Sequence, residues 1–100
     1  MKRVAIDDLP DDPLGAGGVF RQHWLAHVET LLASGEDVTL VFAPADYTHA
    51  EWRRVVTAAL ARKFAPRRVN AIAGEGEAAA AVEAYLASAP GVTGQYLECA

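Results

Sequence analysis

Thiols are nearly missing from this chain. Cys99 is its one cysteine, so no internal disulfide can form. Long apolar runs are missing as well: none approaches the roughly 20 residues that a membrane-spanning helix needs. Basic charge is not in excess either, since 9 Lys and Arg face 13 Asp and Glu. The resulting net charge of -4 argues against general nucleic-acid binding. No signal-peptide pattern opens the chain, so a cytoplasmic location is the expectation. Internal repeats and flexible linkers are absent too.

What is there suits one small domain spanning residues 1–100. Hydrophobic residues make up 52% of it, enough for a real core. The charges are unevenly spread. Asp7, Asp8, Asp11 and Asp12 crowd one loop, whereas Arg53, Arg54, Arg62, Lys63, Arg67 and Arg68 fall in the second half. These read as two solvated surfaces.

The order of elements follows from periodicity and breakers. Arg3–Ile6 is a short strand. Asp7–Gly18 reads as a loop, because Pro10 and Pro13 interrupt any helix across it. A helix is expected over Val19–Ser34, with Phe20, Trp24, Val28 and Leu31 at helical spacing and Gly35 as its stop. Val38–Phe42 is the clearest strand, ended by Pro44. A second helix should start near Thr48, where Thr48 and Glu51 have capping-box spacing. Its apolar stripe is Trp52, Val55, Val56, Ala59, Leu60 and Phe64, and Pro66 stops it. Arg68–Ala73 is a third strand, followed by a turn at Gly74 and Gly76. Alanines drive a third helix over Glu77–Ser88. Gly91–Gly94 turns, and Gln95–Cys99 is the last strand. The pattern β-α-β-α-β-α-β implies an α/β domain with a four-stranded parallel sheet and three crossover helices.

Two stretches carry a more specific signal. Ala59–Gly74 reads A-L-A-R-K-F-A-P-R-R-V-N-A-I-A-G, and Ala84–Gln95 reads A-Y-L-A-S-A-P-G-V-T-G-Q. The first resembles the L-A-x-E-x-A-P and R-V-N-x-I-x-P-G segments of short-chain dehydrogenases/reductases. The second is similar to that family's Y-L-A-S-x-x-x-x-V-T-G-Q run. Together they cover roughly the C-terminal half, and Asp12-Pro-Leu14 echoes a D-P-L of the family. The resemblance implies a half-Rossmann domain holding the last four of the family's seven strands. It also implies a left-handed last crossover, which sends the third helix to the opposite face.

The family's chemistry does not carry over so readily. No glycine-rich phosphate-binding turn follows a strand, and Gly15, Gly17 and Gly18 read as loop. Neither NAD(H) nor NADP(H) is therefore expected as a cofactor. The family pairs a Tyr with a Lys four residues on; here Tyr47 is followed by Glu51, an anion that opposes the phenolate. The preceding strand ends Val41-Phe42-Ala43 without a Ser, and Gly74-Glu75 stands where the family has Pro-Gly. The candidates for a residual acid–base cluster are Asp46, Tyr47 and His49, at the C-terminal end of the second strand. His23 and His27 are four apart, but Trp24 stands where a zinc-protease pattern has Glu, and they read as surface residues. Cys99, beside Glu98, has no neighbour in sequence to activate it.

The leading reading is a non-catalytic domain acting through self-association or through a protein partner. One helix on the far face is too little for four strands, which argues for an obligate homodimer. In the resembled family the first two helices here would pair with their copies. The expected contact residues are Phe20 and Trp24, with a small-residue face of Ala50, Thr57, Ala58, Ala61 and Ala65. Two alternatives stand beside it. One is a small-molecule-binding domain or weak oxidoreductase-related enzyme using the sheet's C-terminal edge. The other is a regulatory subunit docking on a full-length dehydrogenase.

Overall fold

A computed structural model describes residues 1–99. Four strands, β1 (Lys2–Ile6), β2 (Val38–Phe42), β3 (Val69–Ala73) and β4 (Tyr96–Glu98), form one parallel sheet in chain order. Lys2 pairs with Val38, Val38 with Val69, and Ala71 with Tyr96. β2 and β3 are buried along their whole length, which is why their sequences run apolar without strict alternation.

The first crossover starts earlier than its prolines suggest. Helix α1 (Pro13–Val19) leads through a π-helical segment, Phe20–Trp24, into α2 (Leu25–Ala33). Pro13 occupies the first helical turn, where its missing N–H costs nothing. Asp12 caps it, its Oδ2 accepting from the Gly15 N–H at 2.7 Å. Gly15, Gly17 and Gly18 are thus helical residues, not loop. Gly17 has a packing role: a Cβ there would lie 3.1 Å from Arg21 and 3.6 Å from the Trp52 ring. Gly35 ends α2 as expected, with φ of 100°. The Gly35 N–H donates to Leu32 and the Glu36 N–H to Leu31, satisfying two orphan carbonyls.

The second crossover is a 3-10 turn, Tyr47–His49, running into α3 (Ala50–Lys63). Its cap is Asp46, whose Oδ1 accepts from the Thr48 N–H at 2.9 Å, so Thr48 and Glu51 do not form the expected box. The buried residues of α3 include Arg53, Val56, Thr57, Leu60 and Ala61. Val55 and Ala59, placed in the core stripe by spacing, face outward. Helix α4 (Gly76–Ala87) makes the third crossover.

The two cores lie on opposite faces of the sheet. Val4, Ile6, Leu40, Phe42, Val69 and Ala71 pack with Phe20, Val28, Leu32, Val56 and Leu60. Val41 and Ile72, pointing the other way, pack with Ala79, Leu86 and the partly buried Val82 and Leu97. Helices α1–α3 therefore cover one face and α4 the other. The strands step in one direction throughout, so the last crossover has the opposite hand to the first two. With the near-universal right hand for those, the last is left-handed.

The expectation of a bare far face does not hold. Thr39, Val41, Asn70 and Ile72 are all buried beneath α4 and its neighbours. β1 offers only Arg3 and Ala5 there, and Arg3 pairs with Glu83 of α4 at 2.9 Å. A polar edge strand needs no cover, so the burial argument for an obligate dimer loses its premise. The expected contact residues shift too. Phe20, Ala50, Thr57 and Ala61 are buried within the protomer and present no surface to a partner. Trp24 is half-buried, Ala58 is partly exposed and Ala65 is exposed.

Candidate functional site

Parallel sheets build their sites where the strands' C-terminal ends meet the following loops. Here the loops after β1 and β2 enclose a cavity of about 250 Å³. Its walls include Asp7, Asp8, Asp11, Ala43, His49 and Arg53. Beneath it lies an aromatic cluster. Trp52 meets Phe42 edge-on at 5.5 Å and Phe20 at 5.7 Å, while Phe20 and Phe42 are 6.0 Å apart.

The three sequence candidates fare differently. Asp46 is committed to its capping role, accepting from both the backbone N–H and the hydroxyl of Thr48. Those two bonds, helped by the nearby His49 and opposed by slight desolvation, hold its carboxyl below the ordinary value. Tyr47 is 86% exposed and is not among the residues lining the cavity. His49 is buried and does line it. Its Nδ1 accepts from Trp52 Nε1 at 3.2 Å, which leaves the proton on Nε2 to donate to the Asp11 carbonyl at 2.8 Å. The ring thus ties α3 to the Asp7–Asp12 loop. The link among Asp46, Tyr47 and His49 is a backbone one, the His49 N–H donating to the Asp46 carbonyl at 3.2 Å; among the described residues no side-chain hydrogen bond joins them, so they make no proton relay.

Arg53 was hidden among the basic residues of the second half, yet it is only 4% exposed. Its Nη1 donates to the Ala43 carbonyl and to the Tyr96 hydroxyl, each at 3.1 Å. The guanidinium lies over the Phe42 ring, 4.6 Å from its centroid. A sequence signal for this exists. Arg53 is four residues before Thr57 and three before Val56, on the helix face that turns to the sheet.

His23 and His27 are exposed and border a second cleft with Asp7, Asp8 and Trp24. Among the described residues no three His, Cys, Asp or Glu side chains converge to hold a metal ion. No helix among them is long and apolar enough to cross a membrane. Cys99 is a free thiol packed at the end of β4, against Gly74.

A second feature lies on the outer face of the helices. Leu14 is 91% exposed and Val55 54%, and both border a groove between α1 and α3 floored by Trp52. The groove continues past Arg21 to Leu25, Ala59 and Lys63.

Comparison with known proteins gives one family. The SDR-like family, described as short chain dehydrogenase-like protein, matches residues 4–99. No curated protein matches the chain, and no solved structure does.

Proposed function

The chain belongs to the short chain dehydrogenase-like family, and from that premise we propose that it is a non-catalytic member acting by self-association through the outer face of α1 and α3. The observation that carries this is the pair Leu14 and Val55, large apolar side chains exposed on the two sides of one groove. Exposed single apolar residues are ordinary, but several around one cleft mark an interaction surface. Ala58 and Ala59 continue that face with small side chains, which allow close helix approach. Arg21, Glu51, Glu29 and Lys63 border it and supply both signs of charge for an isologous contact.

The non-catalytic half of the reading rests on residue chemistry. Glu51 stands four residues after Tyr47, where the resembled family has a lysine to favour the phenolate. The Asp46 side chain is engaged in capping and the His49 ring in hydrogen bonds to Trp52 and Asp11, so neither side chain is bonded to the other.

Two measurements test the two halves separately. Titrating NADH and NADPH against the protein, with cofactor fluorescence as readout, should give no saturation. Saturable binding below about 100 μM, beyond about -5 kcal/mol, would contradict the non-catalytic reading. Leu14→Asp and Ala58→Arg each place a charge on the outer face without touching the core. Both variants should stay folded by circular dichroism and run as monomers. If both retain the oligomer of the unaltered protein, the outer face is not the interface.

A further inference from the structure

The cavity at the C-terminal edge of the sheet contains a cation whose hydrogen bonding is incomplete. Nη1 of Arg53 is fully engaged by Ala43 and Tyr96, and the stacking on Phe42 fixes the guanidinium plane. Nε is buried with no hydrogen-bond partner. Nη2 likewise has none among the described residues. The unengaged edge of the guanidinium is therefore the Nε–Nη2 pair. Two parallel N–H groups on one edge match the two oxygens of a carboxylate. A charged donor buried without an acceptor costs more than a neutral one, so an acceptor supplied from outside gains the difference.

The same lining also carries the other sign. Asp7, Asp8 and Asp11 line the same cavity, and none of them forms an ion pair with Arg53. A purely anionic ligand would meet repulsion from that loop. At about 250 Å³ the cavity falls just under the range of roughly 300–1,000 Å³ for drug-sized ligands, so its occupant is smaller. We propose that this cavity binds a small metabolite carrying both a carboxylate and an ammonium group. The carboxylate sits on the Nε–Nη2 edge of Arg53, and the ammonium faces the Asp7–Asp11 loop. Pre-orientation by Phe42, Ala43 and Tyr96 means that little side-chain freedom is lost on binding.

Hexanoate, 6-aminohexanoate and hexylammonium share an apolar body and differ in their charged ends. Each is titrated into nitrogen-15-labelled protein, following the Arg53 Nε–H signal by NMR. 6-Aminohexanoate should shift that signal saturably. Hexanoate should bind about tenfold more weakly, the loss of roughly one charge-assisted contact. Hexylammonium should leave the signal in place. Arg53→Gln should weaken 6-aminohexanoate binding at least about tenfold. The proposal is overturned if 6-aminohexanoate gives no saturable shift up to about 10 mM, the weak end of measurable affinity. It is equally overturned if hexanoate or hexylammonium binds as tightly as 6-aminohexanoate. Should Arg53→Gln fail to fold, the Nε–H titration of the unaltered protein decides alone.

Discussion

Arg68 ties three parts of the protein at once. Its backbone N–H and its Nε bind the Asp37 carboxylate at 2.8 and 3.1 Å, while Nη1 donates to the Leu86 and Ala89 carbonyls at the end of α4. Burial pushes the Asp37 carboxyl up, but the Arg68 hydrogen bonds and the Arg68 and Arg67 charges outweigh it and hold it below its ordinary 3.8. The folded value is the depressed one, so the stabilisation is complete above the unfolded value and is lost as pH falls through the folded value. Urea midpoints should therefore be flat in this respect from neutral pH to about 5 and fall below about 4. Asp37→Asn should remove part of that acid-side fall and cost about 1–3 kcal/mol at pH 7, the worth of hydrogen bonds to a charged group. In the sequence, Arg68 and Arg53 looked like any other exposed cations. Helix spacing could have put Arg53 on the sheet-facing side of α3, but the partners of both side chains are remote in sequence and no local pattern encodes them: Arg68 reaches 31 residues back and 21 forward, Arg53 43 forward. His49 was a candidate in the sequence, but its tie to Asp11 was hidden for the same reason, the two being 38 residues apart.

Strands and helix stops were the most legible elements. β-branched runs bounded by Pro or Gly gave β2 and β3, and Gly35 closed α2 as read. The start of α1 was masked because proline reads as a breaker until its position in the first turn is known. Asp12→Ala should shorten α1 and cost about 1 kcal/mol, a typical N-cap loss, measured by urea unfolding. The orientation of α3 was half legible. Spacing alone joined Val55 and Ala59 to Val56 and Leu60, but the stripe is wider than the contact with the sheet: Val56 and Leu60 enter the core, while Val55 and Ala59 stay exposed at its edge. Gly74 shows how tightly β3 leads into its loop. A Cβ there would lie 2.7 Å from Cys99 Cβ and 2.8 Å from its Sγ, while the Cys99 N–H is fixed on the Ala73 carbonyl at 2.8 Å. Gly74→Ala should cost about 1–3 kcal/mol, the range for overpacking. A Gly74→Ala protein of unchanged urea midpoint would mean that β4 yields freely.

At the scale of the whole molecule, the left-handed last crossover places α4 opposite α1–α3 and lets four strands be covered in one protomer. That arrangement was foreseen from the resemblance, not from hydrophobic periodicity, which is indifferent to handedness. Its consequence for assembly was not foreseen: Val41 and Ile72 are already buried, so the proposed association draws on the outer helix face, where Leu14 and Val55 stand out. A standard interface buries about 800 Å² per partner, a modest share of the 5585 Å² that the chain exposes. The most direct test is the molar mass by light scattering after gel filtration at micromolar concentration. The account predicts about twice the protomer's 10.6 kDa. A mass that stays at 10.6 kDa across the concentration range would contradict it.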